Sequence, residues 1–496
     1  MKKLLSLIVI FVLAFAFFGN IGLAHAQGRN ASWVVSVTYQ NVGAAATTVN
    51  VLFYEEGNTD SIEFDPLGGG TIAPGAGRSF FIGSIDGIDP GFRGNAVMMS
   101  EQPLVATVVQ FSQETGFKMR LLSNGFRDTD TSDQYLVATT LANTFSRTTI
   151  FSIQNIESVE IKATVRFYDL SGNLQSTKVH TIPANSSKYI EMDNIADTGL
   201  PSTTFNGSAI VTATRTSDDS PAMVVAGVSE LYTDQNIAAN FEGVPLSRAS
   251  NTVYMATALC ERFGLDTFYA VQNASLTDDA TITVTYYNTN GNEKATDGPY
   301  TIGSGQKKSI LTCDPNDGTD MTSFTGSATI TSTGAPIVAI GKAQKSLNAG
   351  TTDTALFFTI FNGEPSGYNK LALPFIRWAN DTDFNDSNNM GGKQRAFLAI
   401  QNLGDGNATV TVTYIDKNGN EVGSQDLVIE PFSKGNSSAD SAGALGKSGM
   451  LPGSFGYYND GSFGGGVIIE SDQPVIAVAR VQHPGAGEDY NGVPVP

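Results

Sequence analysis

The chain repeats one pattern four times along its length. A short apolar run ending in Gln-Asn occurs as SVTYQN (36–41), IFSIQN (150–155), FYAVQN (268–273) and FLAIQN (397–402). The final residues of these runs are Asn41, Asn155, Asn273 and Asn402, so successive copies lie 114, 118 and 129 residues apart. A period of this length is that of a whole domain, so each copy should hold its own hydrophobic core.

Each Gln-Asn copy is followed by the same four features in the same order. In the second copy they are ATVRFYDLSGN (163–173), TIPANSS (181–187), FNGSA (205–209) and SPAMVVAGV (220–228). The alternation of β-branched and aromatic residues in the first of them is a period-two strand signal. Its Gly-Asn ending supplies residues that tolerate the positive φ of tight hairpins.

Strand-like segments also link the copies, at 134–141, 252–259 and 370–377. Each copy thus offers about six to eight short strands separated by turn signals, which is typical of an antiparallel β-sandwich. We therefore expect an all-β chain of four tandem immunoglobulin-like β-sandwich domains after a signal peptide. The predicted segments are a signal peptide (1–26), unit 1 (27–130), unit 2 (131–248), unit 3 (249–367) and unit 4 (368–496).

The order of these motifs resembles a repeat of large secreted proteins of environmental bacteria. The resemblance covers most of residues 33–490 and is clearest in units 2 and 3, whereas unit 4 has GGGV (464–467) where the pattern has GSAI. It implies export and a tandem array of immunoglobulin-like or similar β-sandwich modules, and it implies no enzymatic activity.

The N-terminus has the features of a targeting segment. Lys2 and Lys3 precede a long apolar run, and Ala24-His25-Ala26 fits a small-x-small cleavage site, so the mature chain should begin at Gln27. The alternative is an uncleaved anchor, because the apolar run is almost long enough to span a bilayer. We expect a secreted or cell-surface protein with no transmembrane span after cleavage.

The net charge excludes one class of partner. It is −19 for the whole chain and −21 once Lys2 and Lys3 are removed. An acidic surface of this kind repels nucleic acid and anionic membranes and favours cations. We therefore expect no nucleic-acid partner.

Catalytic motifs are not evident in the sequence. Only His180 and His483 remain after the signal, and no zinc spacing or Gly-x-Ser-x-Gly in a strand–turn–helix context is present. The acidic residues are numerous and none lies in a recognisable motif, so no two of them can be nominated as the catalytic carboxylates of a hydrolase. The sequence predicts a protein that is not an enzyme and has no cofactor, calcium excepted.

Calcium is the chemical hypothesis that the sequence favours. Hard cations take several oxygens from one loop, and three loops are rich in Asp and Asn: 128–133, 314–320 and 381–386. The third is the best candidate, with Asp381, Asp383, Asn385 and Asp386 as ligands. The alternative is ordinary turn chemistry, because Asp and Asn side chains cap turns without a metal.

Two further site predictions concern aromatic and sulfur side chains. Tyr457 and Tyr458 lie among Asn, Asp and Gly in FGYYNDGSF (455–463), a mixture that suits sugar stacking and equally suits an ordinary loop. Cys260 and Cys313 both lie in unit 3, where export permits a disulfide between them, and two buried thiols are the alternative.

The functional hypothesis is a non-enzymatic secreted or surface protein with a structural or adhesive role. Its partners would be cell-surface or matrix polymers or proteins, including glycans, and the alternative is an extracellular carbohydrate-binding protein. Self-association is a further possibility, because three linking strands serve four units and one unit is a strand short. Residues 27–34 are the alternative occupant of that gap.

Overall fold

The computed structural model describes residues 33–112, 120–232, 237–345, 357–384, 394–447, 462–483 and 486–496. These residues form an all-β, sandwich-like structure, as the sequence predicts. The predicted signal peptide, 1–26, lies outside the described residues. In the described ranges no helix is long and apolar enough to cross a membrane.

The strands of units 1 and 2 are β1 (Trp33–Asn41), β2 (Asn50–Glu55), β3 (Ser61–Phe64), β4 (Gly77–Phe81), β5 (Gly94–Met99), β6 (Leu104–Ser112), β7 (Arg120–Asn124), β8 (Gln134–Ala142), β9 (Arg147–Asn155), β10 (Ile161–Asp169), β11 (Leu174–Ile182), β12 (Ser187–Glu191), β13 (Phe205–Arg215), β14 (Val224–Tyr232), β15 (Ala238–Glu242) and β16 (Val244–Pro245).

The strands of units 3 and 4 are β17 (Thr252–Cys260), β18 (Leu265–Asn273), β19 (Ala280–Asn288), β20 (Glu293–Ile302), β21 (Lys307–Leu311), β22 (Phe324–Gly334), β23 (Ile337–Lys345), β24 (Phe358–Asn362), β25 (Tyr368–Trp378), β26 (Arg395–Asn402), β27 (Ala408–Ile415), β28 (Glu421–Ile429), β29 (Lys434–Ser438), β30 (Phe463–His483), β31 (Ala486–Asn491) and β32 (Val493–Pro494). The helical segments are Ile82–Ser84, Asp128–Asp130, Ile195–Thr198, Leu246–Arg248 and Asp381–Phe384.

The strands pair in the same antiparallel order along the chain. One sheet has the order β4-β1-β6-β7 in unit 1, β12-β9-β14-β15 in unit 2 and β21-β18-β23-β24 in unit 3. A second sheet has the order β11-β10-β13-β8 in unit 2 and β20-β19-β22-β17 in unit 3. In unit 4 the long strand β30 pairs with β25 and β27 in its first half and with β26 and β31 in its second, which joins the two sheets.

The pairing also assigns the linking strands. β8 pairs with β13, and β17 with β22, so each linking strand belongs to the unit that follows it. Unit 1 is the unit without one, and its second sheet has only β3, β2 and β5. The interpretation that residues 27–34 fill this gap is wrong for Trp33 and Val34, because both lie in β1 and pair with β6.

The core lies between the two sheets of each pair. In unit 2, Phe151 and Ile153 of β9 face Val165 and Phe167 of β10 in one cluster of fully buried side chains. Full burial of such a side chain stabilises the fold by about 1.5–3 kcal/mol. The Phe of the Phe-x-Gly segment closes the same core, with the ring of Phe205 edge-on to Phe167 at 6.2 Å.

The Asn of each Gln-Asn motif is a buried structural tie. The Asn155 amide donates to the carbonyls of Val159 and Ile182 at 2.8 and 3.2 Å, and its oxygen accepts from the Glu157 N–H at 2.8 Å. Asn41, Asn273 and Asn402 bond in the same way. The Asn side chain thus satisfies turn backbone at the strand end, as its place between a strand and a turn predicts.

Each unit contacts the next through one repeated junction. The Ser208 hydroxyl of unit 2 donates to the Gly305 carbonyl of unit 3, and Ser327 of unit 3 donates to Phe432 of unit 4, both at 2.6 Å. The Asn95 amide of unit 1 donates to the Asn185 carbonyl of unit 2 at 3.0 Å. Three successive junctions are therefore equivalent.

A fourth junction joins unit 4 to unit 1. The Gly77 N–H of unit 1 donates to the Lys417 carbonyl of unit 4 at 3.2 Å. The two turns approach so closely that a Cβ at Gly419 would lie 2.3 Å from the Pro74 carbonyl oxygen. The four units thus form a closed ring rather than an extended string.

Candidate functional site

One strand from near the end of each unit lies beside the axis of this ring. β7 contacts β15, β15 contacts β24, β24 contacts β31, and β31 contacts β7. Each strand ends in a residue followed by Gly, and these four end residues are Asn124, Glu242, Asn362 and Asn491. We call them the axial residues.

Hydrogen bonds join the axial residues in a circle. The Asn124 amide donates to the Asn491 carbonyl, and the Asn491 amide donates to the Asn362 carbonyl, both at 2.8 Å. The Asn362 amide donates to the Glu242 carbonyl at 3.1 Å. The Asn124 N–H completes the circle by donating to Glu242 Oε1 at 2.5 Å.

A cavity of about 40 Å³ lies beside the axial residues. All four units line it, because the segment after each axial residue turns around it. Its lining residues with charged side chains are Arg127, Asp130, Glu242, Arg248 and Glu364.

Four of these charged residues form two ion pairs. Arg127 donates to both Asp130 oxygens, at 2.9 and 2.8 Å, and also to the Pro494 carbonyl. Burial alone would raise the pKa of Asp130, but the Arg127 hydrogen bonds hold it below its ordinary value. Arg248 pairs with Glu364 through one carboxylate oxygen, Oε2.

Glu242 differs from this pattern. In the described ranges its carboxylate makes no ion pair with Lys, Arg or His, although Asn124 and Asn362 donate hydrogen bonds to it. Burial raises the pKa of Glu242 to about 7, and the hydrogen bond from the Asn124 N–H opposes that shift. The cavity therefore holds one carboxylate without a cationic partner.

The predicted calcium loop at 381–386 is only partly described. Asp381 lies in a short helix, and its carboxylate accepts from Arg395 Nη2 at 2.5 Å. The Asp383 side chain and the residues Asn385 and Asp386 lie outside the described part. Calcium at this loop stays a prediction.

In each of the other two acidic loops, one aspartate is already bonded within the protein. Asp317 accepts from the N–H groups of Thr296 and Thr319 at 2.7 and 2.8 Å, and Asp130 is held by Arg127. The bond from the Thr319 N–H lies within the loop and is of the kind that the turn-chemistry alternative predicts.

The remaining predicted site residues fall in two groups. Tyr457 and Tyr458 lie outside the described residues, so the sugar site there stays a prediction. Cys260 and Cys313 are joined by a disulfide with their Cα atoms 5.0 Å apart, which ties the end of β17 to the turn after β21.

Sequence reasoning did not find the axial residues as a set. FEGVP (241–245), FNGEP (361–365) and YNGVP (490–494) were visible as turns near the ends of units 2, 3 and 4. The first copy is SNGFR (123–127), which shares Asn-Gly with the third and fourth copies and only Gly with the second. Aligning all four copies on the residue before Gly would have shown that the axial residues occupy equivalent positions.

Buried lysines lie at two of the junctions. Lys307 of unit 3 donates to the Thr139 hydroxyl of unit 2 at 3.0 Å, and its neighbours Lys342, Glu230 and Arg147 form a linked ion-pair group. Burial lowers the pKa of Lys307 to about 7, and repulsion from Lys342 adds to that shift. Lys434 of unit 4 donates to Thr257 of unit 3 in the equivalent place, and burial lowers its pKa to about 7.

We expect the Lys307→Met variant to unfold with a pH dependence different from that of the wild-type chain. A lysine with a folded pKa of about 7 and an ordinary unfolded pKa opposes folding fully below pH 7, and this penalty fades as the pH rises toward 10. A methionine side chain does not titrate and carries no such penalty, so the variant should gain about 2–5 kcal/mol over wild type at pH 6.5 and less at pH 9.5. Urea unfolding at both pH values measures the difference, and Lys294→Met, at an exposed position, is the control. Equal pH dependence in wild type and Lys307→Met would contradict the expectation.

Comparisons with known proteins give no family. The chain matches no protein-family profile and no curated protein. It is aligned with a solved structure described as "Crystal Structure of Thermotoga maritima 1070", at 17% identity and a TM-score of 0.19, over 26% of this chain and 96% of that chain. It is also aligned with the "Structure of Glycoside Hydrolase family 32 from Bifidobacterium adolescentis", at 8% identity and a TM-score of 0.14, over 91% and 98%.

The second alignment corrects one sequence prediction. We predicted that the chain is not an enzyme, and an alignment with a glycoside hydrolase means that this prediction cannot be kept. Likeness at a TM-score of 0.14 carries no argument for hydrolysis either.

Proposed function

We propose that the chain is a secreted or cell-surface protein of four tandem immunoglobulin-like β-sandwich domains with a structural or adhesive role. The domains are units 1 to 4, with the boundaries given above. The equivalent sheet orders support this division, and the closed ring supports a rigid scaffold that presents loops at its surface.

The observation that carries the adhesive role is a pair of exposed phenylalanines. Phe145 lies at the tip of the tight loop that joins β8 to β9 and is 70% exposed, and Phe263 lies at the tip of the tight loop that joins β17 to β18 and is 75% exposed. Both occupy the first position of a two-residue loop, between Thr144 and Arg147 in unit 2 and between Arg262 and Leu265 in unit 3. The two loops are equivalent places in two units.

The backbone at both tips is unfavourable for Phe. Phe145 and Phe263 each have a φ of 56°, and the residue after each is also left-handed. Such hairpin loops favour Asn-Gly, and a left-handed conformation costs a bulky residue about 1–2 kcal/mol. Exposed apolar side chains that are kept despite an unfavourable backbone conformation are suited to contact with a partner.

The tips also lie away from the axial cavity. In unit 2, Thr148 next to the β8–β9 loop is in register with Leu231 and Ala238, whereas Ser152 is in register with Gly227 and Glu242. The loop and the axial residue therefore lie toward opposite ends of the sheet that contains β9. Binding at the tips leaves the ring axis uncovered.

We expect the Phe145→Asn/Phe263→Asn double variant to bind at least tenfold more weakly to the cell envelope of the producing organism. The same variant should unfold at an equal or higher temperature, because Asn tolerates the left-handed conformation better than Phe. Sedimentation with isolated envelopes and thermal unfolding measure the two effects. Val428→Thr, at an apolar position that is 72% exposed elsewhere, is the control. Unchanged envelope binding by the double variant would refute the adhesive role of the tips.

The second candidate function is extracellular carbohydrate binding, which the same exposed rings favour because aromatic faces stack on sugars. A glycan array separates the two. Binding to defined glycans that the double variant loses supports the carbohydrate function, whereas envelope binding that survives removal of glycans supports a protein or polymer partner.

Export is part of the proposal and has its own test. N-terminal sequencing of the mature protein should begin at Gln27, and cell fractionation should recover the chain from the medium or the cell surface. Recovery from the cytoplasm with Met1 intact would contradict it.

A further inference from the structure

The circle of axial residues lacks one donor. Asn124, Asn362 and Asn491 each donate a side-chain N–H to the carbonyl of the neighbouring axial residue. Glu242 occupies the fourth position, and an ionised carboxylate has no hydrogen to donate to the Asn124 carbonyl. The Glu242 side chain can therefore only accept hydrogen bonds, whereas the side chains of the other three axial residues each donate one.

The orientation of Asn362 adds a second acceptor. Its Nδ2 lies 3.1 Å from both the main-chain oxygen and Oε2 of Glu242, and two acceptors fix the NH₂ group on that side. Asn362 is only 7% exposed, and its Oδ1 has no hydrogen-bond partner among the described residues. A buried polar atom left without a partner costs about 1–3 kcal/mol. Because Asn362 lines the cavity, a bound group there would relieve that cost.

The charge of the cavity is unbalanced by one. Arg127 is neutralised by Asp130, and Arg248 by Glu364. Glu242 is the remaining charge in the lining, and it gives the site a net charge of −1 when ionised. One positive charge would neutralise the site.

We propose that the axial cavity binds a monovalent metal cation, Na⁺ or K⁺, with the Glu242 carboxylate and Asn362 Oδ1 as its protein ligands. Oxygen ligands of this kind suit hard cations. A carboxylate offers about four lone-pair sites, of which the Asn124 and Asn362 hydrogen bonds use two. A cavity of about 40 Å³ has room for roughly three water-sized groups, so the ion would keep some of its water.

Unfolding in different salts at constant ionic strength tests the proposal. Thermal unfolding of the full chain is followed at pH 8 in NaCl, KCl and choline chloride, with the metal salt varied from 5 to 200 mM and choline chloride making up the rest. Since a ligand of the folded state alone raises the midpoint with its concentration, we expect a rise of at least 2 °C in Na⁺ or K⁺ relative to choline. Equal midpoints in the three salts would overturn the proposal.

Two variants separate the axial site from general charge effects. Glu242→Gln keeps the shape and removes the charge, so it should lose most of the response to Na⁺ or K⁺. Glu470→Gln, which removes an exposed carboxylate, should keep it. An equal response in Glu242→Gln and wild type would place the cation elsewhere and refute the site.

A direct measurement covers the case in which Glu242→Gln fails to fold. Tl⁺ substitutes for K⁺ and is located by its anomalous scattering in crystals of the wild-type chain. A peak in the axial cavity that contacts both the Glu242 carboxylate and Asn362 Oδ1 supports the site, and crystals soaked in Tl⁺ without a peak there contradict it. A response to CaCl₂ alone, abolished by Glu242→Gln, would overturn the monovalent assignment.

Discussion

The Gly326→Ala variant is expected to lose at least about 3 kcal/mol of unfolding free energy, because overpacking against backbone cannot relax cheaply. A Cβ at this position would lie 1.9 Å from the Tyr287 carbonyl oxygen and 2.7 Å from the Phe324 ring. The pairing of β17 with β22 is irregular at this point, so the added carbon would have to move a strand. Gly94, Gly207 and Gly465 are the equivalent positions, where the Cβ would lie 2.0 to 2.1 Å from a carbonyl oxygen.

Urea unfolding and the yield of soluble protein measure this loss. Gly406→Ala is the matched control, because no heavy atom lies within 4 Å of the Cβ it would add. The control should stay within about 0.5 kcal/mol of wild type, as surface substitutions usually do. Similar stabilities for Gly326→Ala and Gly406→Ala would show that close approach of the backbone is not the reason for the glycine in the Phe-x-Gly motif.

The Asn273→Leu variant is expected to lose about 3–5 kcal/mol, since several buried polar groups would lose their partner at once. The Asn273 amide donates to the carbonyls of Asp278, Ile302 and Gly303 at 2.8 to 3.1 Å, and its oxygen accepts from the Ser275 N–H at 2.9 Å. Leucine fills a similar volume and satisfies none of these groups.

The same substitution at Asn290 provides the control. Asn290 is an exposed residue of the hairpin turn in the same unit, so Asn290→Leu should leave stability nearly unchanged. Unfolding of Asn273→Leu at the wild-type urea midpoint would mean that the Gln-Asn motif is not a structural tie.

The sequence predicted the parts of the fold that repeat as motifs. The all-β class followed from the period-two strands, and the role of Asn155 followed from its place between a strand and a turn. The continuity of β30 was not predicted, because Pro474 reads as a break between two strands. In the structure β30 passes through Pro474 while its pairing changes from β25 and β27 to β26 and β31.

Ring closure was beyond sequence reasoning for a physical reason. The equivalent hydrogen bonds of the junctions run from Asn95, Ser208 or Ser327 to a main-chain carbonyl, and any residue type can supply such an acceptor. The fourth junction has Gly466 in place of that donor, so the polar side chain that marks the other three junctions is missing there. The axial residues were missed because they converge from positions more than 100 residues apart.

A ring encoded in one chain differs from a ring of four identical chains in what it can place on its axis. Identical chains would present any axial side chain four times, and four carboxylates at the positions of Asn124, Glu242, Asn362 and Asn491 would repel one another strongly. Covalent linkage lets each copy diverge, so a single acidic residue can stand among three amides. The asymmetry at the centre of this molecule is therefore a property that gene fusion makes accessible and that simple oligomerisation does not.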